Sequence, residues 1–365
     1  MRVVITLSMV CACYSLKLTV IEQTLHTRHR PPPGQQHAEC PDRLIAAKEA
    51  LYSAYGDVVD GGKISWLRAM DSERTSPDDA VAVLKKVHDV EHLRTVVEMS
   101  KVGGGFDTDT YCAPGSWEAM LDGTRCWIDA LGMAAESRGP VFALSRPAGH
   151  HATRRVAMGF GLVNFAAAAA AAALEATGSG DEESPTIAIL DWDVHHGNGV
   201  AAIFADEPRV RYCSLHEAGG FPGTGIDEGD RGSAGNILNV PLEKGSGSDE
   251  YLAALREKAL PFLMGSEQGG SESSSTGAEN DGHSLPSVLL VCAGYDALEA
   301  DPLATMGLEP CDYKKSVDMI VREFGFPRER IALGLEGGYC LDPDVGMPAG
   351  VVATCSALLE ESSMT

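Results

Sequence analysis

The sequence predicts an α/β fold on a mostly parallel sheet, and three observations carry that prediction. Four short, nearly continuous apolar runs occur: PVFALS (140–145), TIAIL (186–190), SVLLVCA (287–293) and RIALGL (330–335). Runs that do not alternate with polar residues read as strands covered on both faces. Helical stretches fall between them, at 163–177, 248–263 and 311–325, which gives the strand–helix alternation of a parallel sheet with right-handed crossovers. Each apolar run also ends in a polar motif: RPAGHHA, DWDVHHGNG, GYDAL and EGGY. In sheets of this kind ligands bind beyond the carboxyl ends of the strands. The four motifs therefore share one edge and predict one active site.

The remaining elements fit one domain. The chain has 365 residues, 44% of them hydrophobic, enough for a large α/β core. The alanine run Ala166–Ala173, stopped by glycine in the following LEATGSG, reads as a core helix rather than a membrane span. Residues 264–286 are rich in Gly, Ser and Glu without periodicity and read as a disordered insertion, in which His283 is incidental. The first residues, MRVVITLSMVCACYSLKL, are ambiguous: an apolar run the size of a signal-peptide core, or an edge strand. The expected organisation is an uncertain segment over 1–19 and one catalytic domain over 20–360.

Charge and cysteines bound the partners. Lys and Arg number 29 against 52 Asp and Glu, a net charge of −23. That sign excludes direct nucleic-acid binding and suits cationic substrates such as lysine-rich tails or polyamines. The ten cysteines are scattered and form no CxxC pair, so the expected state is free thiols in a reducing, intracellular compartment: cytoplasm, nucleus or an organelle such as a plastid or mitochondrion. No membrane association is expected.

The stretch ILDWDVHHGNG (189–199) places acids and histidines at the end of a buried strand. Buried carboxylates need a partner. In extended backbone Asp191, Asp193 and His195 point to one side, a donor set that suits a divalent metal. A lone D-x-D reads better as a helix cap in water; the added His-His-Gly-Asn-Gly and the preceding buried strand favour metal. Asp296 of GYDAL is either a helix N-cap or a further ligand on the same edge. Two Asp and one His would leave an open position, the pattern of a catalytic metal. His150 and His151 suit a general acid/base pair beside it. Tyr339, after two glycines, is either a core tyrosine or an oxyanion donor. Phe160 in MGFG and the glycines of FPGTG (221–225) are turn and core residues or the wall of a pocket.

In order along the chain, HAECPDRL, VHDVEHL, DTDTYCAPGS, RPAGHHA…MGFGLVNFAA, DWDVHHGNGV, SLHEAGGFPGTG, CAGYDALEADPLATM and LEGGY resemble the zinc-dependent histone deacetylases. The likeness is to the class II branch and its bacterial and plastid-type relatives, which include acetylpolyamine amidohydrolases. It implies a three-layer arginase/deacetylase-type fold. It implies zinc held by Asp193, His195 and Asp296, with Asp191 moved off the metal to hold His150. Asp191 would also help bind a structural potassium ion, together with Ser214 and the backbone oxygens of Asp193, His195 and Leu215. A second, weaker monovalent site maps to Phe204, Glu207, Val210 and Asn236. The resemblance further implies a substrate tunnel of Gly159, Phe160, Phe221 and Leu303 with Asp109 at its rim, and Gly161 widening it. Departures are Ala38 for the usual proline, Asn198 where some relatives carry Asp, and Leu303 where a polyamine-selective relative carries a gatekeeping Glu.

The activity so implied is hydrolysis of N-acetyl amides: acetyl-lysine of histones or other proteins, or else acetylpolyamines and other small N-acetylamines. An inactive acetyl-lysine-binding module is the remaining alternative, and the intact histidine pair and Tyr339 speak against it.

Overall fold

The computed structural model describes residues 17–56, 62–176, 187–265 and 285–360. Residues 1–16 of the ambiguous first stretch and 266–284 of the expected insertion, His283 included, lie outside the described residues.

The four apolar runs form strands as expected: β5 (Val141–Leu144), β6 (Ile187–Asp191), β9 (Val288–Ala293) and β10 (Ile331–Leu335). They are joined in one sheet by β1 (Leu18–Glu22), β2 (Ile64–Arg68), β7 (Val210–Glu217) and β8 (Ile237–Leu242). The order is β2-β1-β5-β10-β9-β6-β7-β8, and every neighbouring pair is parallel. The four motif-bearing strands are thus consecutive in the middle of the sheet. A two-residue antiparallel pair, β3 (Gly104–Gly105) and β4 (Tyr111–Cys112), closes the loop that carries Asp107 and Asp109.

Helices cover both faces. On one lie α1 (Asp42–Tyr55), α7 (Ser248–Ala254), α8 (Leu260–Met264), α9 (Pro310–Asp318) and α10 (Met347–Leu359). On the other lie α2 (Pro77–Val87), α3 (Val90–Val102), α4 (Ser116–Ala135), α5 (Phe165–Ala176) and α6 (Asn198–Phe204). The predicted helix over 248–263 is α7 and α8 joined by a π turn at Leu255–Ala259, and that over 311–325 is α9 continued by a second π turn, Met319–Glu323. Strand β9 shows why its run is apolar throughout: Leu289, Val291 and Ala293 enter one core and Val288, Leu290 and Cys292 the other, as period-2 side chains must. Among the described residues no helix is long and apolar enough to cross a membrane.

The alanine run forms α5 as expected, with Ala166–Ala170 buried against α4. Trp127 of α4 is also fully buried and donates its indole N–H to Ser145 Oγ at 2.8 Å. Its ring lies on β10 at Gly334, where an added Cβ would stand 2.1 Å from a ring carbon. Gly334→Ala is therefore expected to cost about 1–3 kcal/mol through overpacking. A urea midpoint equal to wild type would show that the indole can step aside.

Candidate active site

The turn after β6 is shaped by its own acids. Asp191 Oδ1 accepts from the Asp193 amide at 3.2 Å, and Asp193 Oδ1 from the His195 amide at 2.9 Å, so each carboxylate caps the backbone two residues on. Asp193 Oδ2 accepts from the Gly337 amide at 2.8 Å, which ties this turn to the end of β10. Asp296, after β9, places Oδ1 2.9 Å from the Val194 amide. A side chain at Gly337 would put its Cβ 2.2 Å from Asp296 Oδ2 and 2.6 Å from Asp193 Oδ2. Only glycine lets that backbone donor come so close.

These bonds aim the remaining donors at one point. His195 Nδ1 lies 3.1 Å from Asp193 Oδ1 and 3.0 Å from Asp296 Oδ2. One ligand atom from each of Asp193, His195 and Asp296 falls within 4.8 Å of the others. Both carboxylates are buried. Burial and repulsion from Asp193 push Asp296 up to about 7. Burial also works to raise Asp193, but His150 and His195 outweigh it and hold that acid low. Two like charges sealed from water, with oriented lone pairs and one imidazole nitrogen, fit a divalent cation.

Two histidine pairs back the triad. His150 is buried with Nδ1 3.0 Å from Asp191 Oδ2. Burial opposes its charge, but Asp191, Asp193 and Glu336 outweigh that and lift it to about 10. His151 pairs through Nδ1 with the amide oxygen of Asn198 at 2.8 Å. Burial, then the charge of His150 and His195, drive it well below its ordinary value. The carboxylate partner thus favours imidazolium at His150. The neutral amide fixes the Nδ1–H tautomer of His151 and leaves Nε2 with a lone pair.

A cavity of about 390 Å³ opens onto this group, lined by His151, Gly159, Phe160, His195, Phe221 and Tyr339, with Leu303, Asp107 and Asp109 among its further lining residues. Phe160 has φ +67°, and its amide donates to Thr110 Oγ1 at 3.2 Å; strained backbone of this kind is found where a wall must be held in place. Its ring meets Tyr339 edge-on at 5.5 Å. Phe221 meets the His151 ring edge-on at 4.9 Å. Leu303 and Phe221 are about half exposed, so apolar surface lies open at the cavity.

Residues 37–353 match the histone deacetylase domain. The chain belongs to the histone deacetylase family. It is 33% identical to a histone deacetylase-like amidohydrolase of Pseudomonas aeruginosa, over 85% of this chain and 74% of the other. It is 38% identical to an uncharacterized protein of Synechocystis, over 90% and 96%. The crystal structure of the HDA15 HD domain superposes with a TM-score of 0.77 at 31% identity, covering 94% of this chain and 91% of that one. Family membership makes the chain a hydrolase of amides and its substrates acetylated amides.

Within the histone deacetylase fold the spacing argument for Asp191 as a metal ligand needs correction. Asp191 is the last residue of β6, and its Oδ2 is taken by His150 and by the Tyr212 hydroxyl at 2.8 Å. The period-2 rule fails where the strand ends. His196 also turns from the Asp193, His195 and Asp296 group, to Thr224 Oγ1 at 2.8 Å and Asn239 Oδ1 at 3.0 Å. Gly161 does not widen the tunnel: a Cβ there would meet the Ala148 carbonyl at 2.9 Å, so its smallness serves packing.

For monovalent cations, Asp191 and Ser214 are register partners across β6 and β7, with Leu215 next in the strand. The residues named for the second position also lie together. The carbonyls of Phe204, Glu207 and Val210 all accept from Asn236 Nδ2, at 2.8, 3.0 and 2.8 Å.

Sequence reasoning missed His37, Glu336 and Asp301. His37 lines the cavity, its Nε2 3.1 Å from the Asp109 carbonyl and its ring 5.1 Å from Phe160. Glu336 is fully buried, and its Oε2 accepts from the Gly149 amide at 2.5 Å and the His150 amide at 3.2 Å. The one signal for it was an acid at the end of an all-buried strand.

Proposed function

We propose that the chain removes acetyl groups from acetyl-lysine side chains of histones or other proteins, with one zinc ion held by Asp193, His195 and Asp296. The observation that carries this reading is the convergence of the triad, the two histidine pairs and Tyr339 on one apolar-walled cavity. When bound, zinc supplies Lewis acidity toward the acetyl carbonyl and a water. His151, oriented by Asn198, takes the proton of the attacking water at Nε2 and returns it to the leaving amine. His150, paired to Asp191, faces the developing negative charge with its own positive one. Tyr339 donates its hydroxyl to the acetyl oxygen as charge builds there. Phe160 and Phe221 hold the aliphatic chain in line, and Asp109 engages the substrate backbone at the rim. Asp191, Ser214 and Leu215 hold a structural potassium ion. The compartment is intracellular and reducing.

Leu303 favours acetyl-lysine over acetylpolyamines, because it lines the cavity with apolar surface where a second amine would want a carboxylate. The expected result is a kcat/KM for an acetyl-lysine peptide that exceeds that for an N-acetylpolyamine by roughly fivefold, the worth of one ion pair missing at a half-exposed position. A hydroxamate should inhibit both reactions. The reverse preference would make this an acetylpolyamine enzyme, and tight peptide binding without hydrolysis would make it a binding module.

A further inference from the structure

Tyr339 follows Gly337 and Gly338, and Gly338 stands at φ +116°. Two glycines give the backbone wide freedom, so something outside the turn must fix where the phenol points. Arg43 sits over the ring at 4.8 Å, but a cation on a ring face leaves the ring free to slide. Arg43 Nε also donates to the Gly338 carbonyl at 2.7 Å, and Gly337 is held by Asp193, but these contacts fix the two glycines. The acceptor for the Tyr339 amide itself is Asp301, which is buried at 5% exposure. Its Oδ2 accepts from the Tyr339 amide at 2.6 Å and the Cys340 amide at 3.2 Å. Its Oδ1 accepts from the Leu303 amide at 3.0 Å. Asp301 is itself anchored, its amide donating to the Leu298 carbonyl at 2.9 Å.

The geometry points to Asp301 as the positioning residue for Tyr339, one carboxylate that locks the phenol and the Leu303 wall of the cavity into a single register. This rests on the reading of Tyr339 as the oxyanion donor. A carboxylate is needed because both of its oxygens accept. An amide at this position turns one oxygen into a donor, which then faces either the Leu303 amide or the Tyr339 and Cys340 amides. The adjoining wall is tied down separately: Glu217 Oε2 accepts from the Thr305 amide at 3.0 Å, so losing Asp301 frees the Tyr339 turn without releasing the whole segment.

The test is a double-mutant cycle on acetyl-lysine peptide with Asp301→Asn and Tyr339→Phe. Asp301→Asn alone is expected to lower kcat about 100-fold, with KM and hydroxamate affinity within about threefold of wild type, because the ground-state contacts survive. In the Tyr339→Phe background the same change should cost less than about threefold, since the hydroxyl it positions is gone. Additive losses, or an Asp301→Asn enzyme within about threefold of wild type, would overturn the proposal. Asp301→Glu keeps a two-oxygen acceptor and should recover part of kcat; it stands in if the asparagine variant does not fold, and no loss relative to wild type with Glu's longer reach would count against positioning. If wild type hydrolyses no acetyl amide, the functional reading fails, and Asp301 is then judged by fluorine NMR of 3-fluorotyrosine at position 339. A resonance that shifts or broadens in Asp301→Asn supports positioning; an unchanged one refutes it.

Discussion

Asp296→Ala is expected to abolish turnover and zinc binding together. The change removes one of the three proposed ligands, and two ligands hold zinc poorly. It also strips the Val194 amide of its acceptor, so the turn that presents His195 loosens. Without metal two effects oppose one another: the buried Val194 amide and His195 lose an acceptor, while the repulsion between Asp193 and Asp296 disappears. The difference appears on adding zinc. Wild type should gain about 2.7 kcal/mol of unfolding free energy with zinc a hundredfold above its dissociation constant, and the variant almost none. Zinc content per chain and thermal unfolding with and without zinc check this. A variant that keeps one zinc and its turnover would remove Asp296 from the ligand set.

The parts of this site that were legible in the sequence are those whose chemistry sits within a few residues. DWDVHH carries its own turn, since Asp191 and Asp193 cap amides two residues away. The strands before the motifs were legible because burial on both faces removes polar alternation. Strands β1, β2, β7 and β8 carried no such signal: β7 reads VRYCSLHE, where charged and polar residues interrupt the apolar ones. The sheet order was not legible at all, since β10 is last in the chain yet lies between β5 and β9. Residues that act by accepting from distant backbone were invisible for the same reason. Glu336 meets Gly149 across 187 positions, and Asp301 meets Tyr339 across 38. Nothing near either acid in sequence marks the amide it will hold. The error over Asp191 came from carrying a strand rule beyond the strand's last residue, to Asp193 and His195.

Tyr339→Phe is expected to fold, bind zinc and lose most turnover. The ring is buried against Phe160 and beneath Arg43, and phenylalanine keeps both contacts. Burial holds the phenol well above its ordinary value, so it stays a donor across the working pH range. What is lost is one hydrogen bond to the acetyl oxygen, strongest when negative charge builds there. Removing such a donor lowers kcat roughly 100- to 1,000-fold, about 3–4 kcal/mol. KM should move far less, because the ground-state carbonyl gains little from the same bond. The measurement is kcat and KM on an acetyl-lysine peptide with zinc content determined on the same sample. A hydroxamate should still bind the variant through zinc and the tunnel, which separates loss of the oxyanion donor from collapse of the site. Turnover within about threefold of wild type would make Tyr339 a packing residue and leave the oxyanion to another donor.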